Sequence, residues 1–189
     1  MKTVDSRNNW RLIDEMLETE TDEWRRHMLL QLKEHVQAEC GSDLEALLKT
    51  MSSEPRFHIW SANEDTGPKG FEALKQFYSG LIASKSNQFE YAVERIVIGD
   101  DTLVTEGELY TPFSGAMLKQ MGLPEVDENK HYATSGRAVT FWPFEVDTGK
   151  IIGEDIYSLT TDISTAQEVN LNPYTVSYTH LRAHETSRN

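Results

Sequence analysis

Residues 136–157 read GRAVTFWPFEVDTGKIIGEDIY, and they predict two strands joined by a tight turn. Val139, Phe141 and Phe144 precede Asp147, Thr148 and Gly149; Ile151, Ile152 and Ile156 follow. Asp and Gly suit a chain that reverses and visits positive φ. Arg137, Glu154 and Asp155 are set among these apolar positions. Strands that carry both apolar and ionisable side chains can form one wall of a ligand pocket.

Working outward, the same period of two extends upstream. Phe89, Tyr91 and Val93 alternate with Glu90, Ala92 and Glu94, and the pattern runs on through Ile96 and Ile98. Gly99, Asp100 and Asp101 make a turn, and Leu103 to Tyr110 is the next strand. Residues 111–130 are a long excursion with Gly115, Gly122 and Pro124 and a helical turn at Ala116 to Met121; such loops often bind ligands. His131 to Phe144 and Lys150 to Leu159 complete four strands joined mainly by hairpins.

Before Phe89 the period is helical. Phe71, Leu74, Phe77, Tyr78 and Leu81 share one face. Leu44, Leu47, Leu48 and Met51 share another, behind Ser42 and Glu45, spaced as a capping box. Trp24, Met28, Leu29, Leu32 and Val36 make a longer helix, and Trp10, Ile13, Met16 and Leu17 a short one. Residues 1–9 are polar and expected to fray. Arg56 to Trp60 is a short strand. This order indicates an α+β fold, with helices packed on one face of a curved, mainly antiparallel sheet and a pocket at its open end.

At 189 residues the chain is read as one domain with a net charge of −13. The acidity argues against nucleic acid and anionic membranes as partners. No apolar run approaches membrane-spanning length, and MKTVDSRNNW carries no signal core, so a cytoplasmic location is expected. Cys40 is the only cysteine and forms no internal disulfide. No phosphate-cradling glycine loop, Ser-His-Asp pattern or clustered metal ligands stand out, so neither cofactor nor metal is expected. Residues 176–189, VSYTHLRAHETSRN, have no apolar period and resemble a translated sequencing-library adapter. They are taken as a non-native tail that replaces the natural C-terminus, and His180 and His184 within them are not read as a metal pair.

The pieces GSDLEALLKTMSSEPRFHIW, GFEALKQFYSGLIA, FEYAVERIVIGDDTLVTEGELY and SGRAVTFWPFEVDTGKIIGEDIYS, in that order and spacing, resemble the SnoaL-like (polyketide cyclase-like) branch of the nuclear transport factor 2-like superfamily. The resemblance spans residues 28–159. It implies an α+β cone, usually homodimeric through the open sheet. It also implies a cofactor-free acid–base enzyme of isomerase, cyclase, dehydratase or epoxide hydrolase type. The division read from the chain is 1–22 as an N-terminal extension with a short helix, 23–165 as the SnoaL-like domain, 166–175 as a polar C-terminal segment, and 176–189 as the tail.

The candidate catalytic residues are His58, Arg137, Glu154 and Asp155. His58 is a general base or a half-exposed strand histidine. Arg137 binds a ligand anion or pairs with a neighbouring carboxylate; with Glu154 or Asp155 it is the nearest echo of the superfamily's Asp-Arg-Asp epoxide hydrolases. Glu106 and Glu108 share a strand face, as do Asp155 and Tyr157, opposite Glu154. Trp60, Tyr78, Tyr110, Trp142 and Tyr157 are candidates for lining the pocket around a small hydrophobic molecule, or for simple core. The rival reading is a non-catalytic ligand-binding or dimeric interaction module. An enzyme needs two ionisable groups converging in a cavity, one with its pKa displaced. A cavity lined only by Phe, Trp, Met and Leu would exclude it.

Overall fold

A computed structural model describes residues 1–61, 64–158 and 162–174; the adapter-like tail and its histidines lie outside the described residues. The sheet is built around its longest strand. β6 (His131–Glu145) pairs along its length with β5 (Thr102–Ser114), and β5 pairs with β4 (Glu90–Ile98), all antiparallel. On its other edge β6 meets β8 (Asp155–Ser158) through residues 138–141 and, nearer its start, β9 (Gln167–Asn172). β2 (His58–Ser61) adds to β8 in parallel, and the two-residue β3 (Glu64–Asp65) closes that edge. The turn after β6 behaves as its residues predict: Gly149 adopts φ +69° and β7 (Lys150–Ile151) folds back on Phe144 and Glu145.

Four helices bear on the site: α1 (Arg11–Leu17), α2 (Glu23–Cys40), α3 (Leu44–Lys49) and α4 (Phe71–Ser84). Their apolar faces meet one side of the sheet in a core that includes Ile13, Met28, Leu32, Leu47, Leu74, Leu103, Trp142 and Ile151. The short α5 (Gly115–Gln120) lies in the long excursion. None of the described helices is long and apolar enough to cross a membrane.

Two local expectations change. Ser42 does not cap α3: it adopts φ 60°, and the Asp43 carboxylate accepts the Ala46 N–H at 3.0 Å. Glu45 then pairs with Lys49 along the helix, so no capping box forms. The first residues do not fray either. β1 (Lys2–Asp5) pairs in parallel with β9, and the buried Glu90 carboxylate accepts Lys2 Nζ, the Asp5 N–H and Asn8 Nδ2. Both strands are polar to the eye because each buries little, and hydrogen bonds to distant partners order them.

Candidate functional site

Helices and sheet enclose a cavity of about 190 Å³. Its walls are mainly apolar: Ile13, Leu32 and Val36 from the helices, with Phe77, Leu81 and Phe89. Strand alternation supplies the rest. Thr105, Leu109 and Thr111 of β5 face inward, as do Ala138, Thr140 and Trp142 of β6 and Ile156 of β8. Trp142 is fixed by its indole N–H, which donates to Thr105 Oγ1 at 2.9 Å. Among the polar groups that break this surface are two carboxyls, Glu39 and Glu154, and the phenol of Tyr78; the Tyr91 hydroxyl is turned to the Thr105 and Ala138 carbonyls instead.

Glu154 lies just before β8. Its backbone carbonyl accepts the His58 N–H at 2.8 Å, which ties the segment to β2. The preceding Gly153 sits against the Arg56 carbonyl so closely that a Cβ there would lie 1.6 Å from that oxygen. Only glycine allows this approach, which seats the segment leading into Glu154 against the chain before β2. The Tyr78 hydroxyl donates to Glu154 Oε1 at 2.8 Å and lies 3.0 Å from His35 Nε2; Nε2 is 3.3 Å from the same carboxylate oxygen. On the far side of the ring, His35 Nδ1 is 2.7 Å from Thr50 Oγ1. His35 is wholly buried, with the Trp142 and Tyr78 rings edge-on to it.

Glu39 is one helical turn beyond His35 on α2 and only 6% exposed. Its carboxyl makes no hydrogen bond to any described residue. Burial, and then the charge of Glu154, hold it well above the ordinary carboxyl range. Burial, then Glu154 and Glu39, likewise push the Tyr78 phenol up. The neighbouring Cys40 thiol is pushed up too, chiefly by burial, which leaves it unreactive. His35, Glu39 and Glu154 offer ligand-type atoms within 4.8 Å of one another, the group among the described residues that could hold a cation. Nε2 and Oε1 lie within hydrogen-bond distance of each other and of the Tyr78 hydroxyl, an arrangement that can share a proton.

No protein family and no curated protein matches the chain by sequence. Solved structures do match. A Shewanella putrefaciens CN-32 protein described as a SnoaL-like polyketide cyclase superposes with a TM-score of 0.58 at 13% identity, over 82% of this chain and 89% of that one. A counterpart from Shewanella denitrificans OS-217 gives 0.55 at 17% identity, over 73% and 92%. The epoxide hydrolase/cyclase-like enzyme SalBIII, of pyran ring formation in the polyether salinomycin, gives 0.53 at 8% identity, over 76% and 96%. The chain has the SnoaL-like, nuclear transport factor 2-like fold.

Within this SnoaL-like fold the nine sequence candidates separate into those that face the cavity and those that face away. Glu154, Tyr78 and Trp142 line the cavity. Asp155 and Tyr157 alternate with Ile156, so they face away from it, and Tyr157 is 50% exposed. Arg137 alternates with Ala138 and binds Glu94 at 2.8 Å and Glu106 at 2.9 Å on the outer face. Those carboxylates raise its already high pKa, so it pairs outside rather than reaching a ligand inside. His58 is held by Asp65 at 2.7 Å on the outer edge, with Trp60 stacked beside it and 40% exposed. Lys69, two backbone N–H groups and His58 keep the Asp65 carboxyl well below its usual range. Tyr110 packs with Val4, Ala133 and Val169 beneath Lys2.

Sequence reasoning passed over His35, Glu39 and Thr50. A signal for the first two was present. Met28, Leu32, Val36 and Glu39 follow helical spacing, as do Leu32 and His35, so both polar residues interrupt the buried stripe of α2.

Proposed function

We propose that this protein is an acid–base enzyme that moves protons on a small, largely apolar carbonyl compound, in the manner of an isomerase, cyclase or dehydratase. The observation that carries the reading is the pair of buried carboxyls on one apolar cavity in unlike surroundings. Glu39 makes no hydrogen bond to a described residue, and burial raises its pKa, which favours the protonated form that can donate. Glu154 accepts from Tyr78 at 2.8 Å and lies 3.3 Å from His35 Nε2, so it is the hydrogen-bonded member of the pair and the one placed to accept a proton. In the step proposed, Glu154 takes the proton from carbon next to the substrate carbonyl. The C–H electron pair moves into a new C=C bond, and the carbonyl oxygen, now negative, receives its hydrogen bond or proton from Glu39. Return of a proton elsewhere gives an isomer; loss of a β-hydroxyl gives dehydration. The cavity of about 190 Å³ suits one substituted ring, since an apolar cavity of ~150 Å³ accepts benzene.

The test is hydrogen–deuterium exchange at carbon. A panel of cyclic enolisable ketones and β-hydroxy ketones is incubated in D₂O with the protein and followed by NMR. The expected result is exchange or dehydration of at least one, lost in both Glu39→Gln and Glu154→Gln. Ligands that bind equally to wild type and Glu39→Gln, with no exchange in any, would support the non-catalytic binding module instead. A homodimer through the outer sheet face is part of the proposal. Phe141 and Tyr157 meet there edge-on at 5.9 Å and both are exposed, and sedimentation of the full chain tests it.

A further inference from the structure

The hydrogen atoms of the buried cluster can be counted. Thr50 Oγ1 lies 2.6 Å from the Leu47 carbonyl oxygen, which has no proton to give, so the Thr50 hydroxyl must donate to it. Thr50 Oγ1 is then an acceptor toward His35 Nδ1 at 2.7 Å, and Nδ1 must carry a hydrogen. That leaves Nε2, Tyr78 Oη and Glu154 Oε1 as a triangle with sides of 3.0, 2.8 and 3.3 Å. The phenol hydrogen satisfies one side. With no other hydrogen, Nε2 and Oε1 would set lone pair against lone pair at a buried site, an arrangement that costs rather than stabilises. One further proton on the Nε2–Oε1 edge removes the conflict and leaves the imidazole and carboxyl with no net charge.

We infer that Thr50, which lines no part of the cavity, is the positioning residue of this site: it fixes the His35 tautomer and so keeps a proton on the edge shared with Glu154. The titratable groups facing His35 are Glu154, Tyr78 and Glu39; Thr50 is the hydrogen-bonding group on its remaining side. The α3 turn that carries Leu47 and Thr50 therefore serves the site without touching a ligand. The role rests on the acid–base reading above.

The experiment is long-range ¹H–¹⁵N NMR of the histidine rings in the full chain, with His35 assigned by its loss in His35→Gln. Wild type is expected to show a hydrogen on Nδ1 at pH 6 to 8, in the Nδ1–H or doubly protonated form. Thr50→Val removes the acceptor, and the ring is expected to move to the neutral Nε2–H form; Thr50→Ser should restore the wild-type pattern. In the exchange assay Thr50→Val should lower kcat with little change in KM. The loss should lie between ~10-fold and the ~10⁴-fold seen when a catalytic imidazole is held in the wrong tautomer. A neutral Nε2–H form in wild type, or an unchanged pattern in Thr50→Val, overturns the inference. Should Thr50→Val fail to fold, the wild-type spectrum still decides. The spectra need no substrate, so a failed exchange assay with the expected tautomer sinks the acid–base reading alone.

Discussion

Replacing Glu39 with Gln should stabilise the protein, and increasingly so as pH rises. The side chain is 6% exposed and gives up no hydrogen bond to a described residue, so the near-isosteric amide costs little in packing. What it removes is ionisation. Burial and the neighbouring Glu154 raise the Glu39 pKa in the folded state, so the folded protein holds a proton that the unfolded chain releases. Stability from that proton is fully present below the unfolded-state carboxyl pKa and is lost as pH rises toward the folded one, at about 1.4 kcal/mol per pH unit. Were both carboxylates ionised within 4.8 Å, their repulsion at an effective dielectric constant of 20 would be about 3.5 kcal/mol. Urea unfolding of wild type and Glu39→Gln at pH 5, 6, 7 and 8 measures the gap. It should open in favour of the variant by about 1.4 kcal/mol per unit while Glu39 is still protonated in the folded state. For a chain of this size that is roughly 3–6 °C in Tm per pH unit. The same variant should lose carbon exchange, a trade of activity for stability. A gap that is flat with pH, or that favours wild type at pH 8, would refute the neutral buried acid.

Tyr78→Phe should lower stability by about 1–3 kcal/mol, because Glu154 loses the hydroxyl that donates to it inside the core; exchange should fall with it, and denaturant unfolding beside the NMR assay checks both. Gly153→Ala should cost more than ~3 kcal/mol or shift the segment before β8, since no side chain at Arg56 can move a backbone carbonyl aside. Its signature is loss of exchange in whatever protein still folds. Arg137→Ala should change protomer stability by less than ~1 kcal/mol and leave ligand affinity unaltered, because the ion pairs it breaks are outside the cavity and partly exposed; a tenfold loss of affinity would contradict that.

The order of elements was legible because period changes mark it: 3.6 through Leu81, two from Phe89 onward. The parity of each strand was legible as well. Glu154 reads as opposite to Asp155 and Tyr157, and so it is. Which parity faces inward depends on where the helices lie, and no residue pattern within β8 or β6 states that. Val139 and Phe141 look like core and face out; Thr105 and Thr140 look like surface and line the cavity. His35 and Glu39 were hidden differently. They sit on a helix whose apolar residues were enough to define it, and their partner Glu154 comes 119 residues after His35. Thr50 could not be found at all, because its role exists only through the ring it holds.

The parallel pairing of Lys2 with Val169 sets a schedule for the newborn chain. At typical synthesis rates of 5–20 residues per second, roughly 10–30 s pass between the making of the two strands. Through that interval β1 lacks the strand it pairs with, and the Glu90 carboxylate, which accepts from Lys2 Nζ, the Asp5 N–H and Asn8 Nδ2, can hold it only at a few points. A ribosome-stalled chain halted before Gln167 is therefore expected to carry a protease-sensitive N-terminus, and release past Asn172 to seal it.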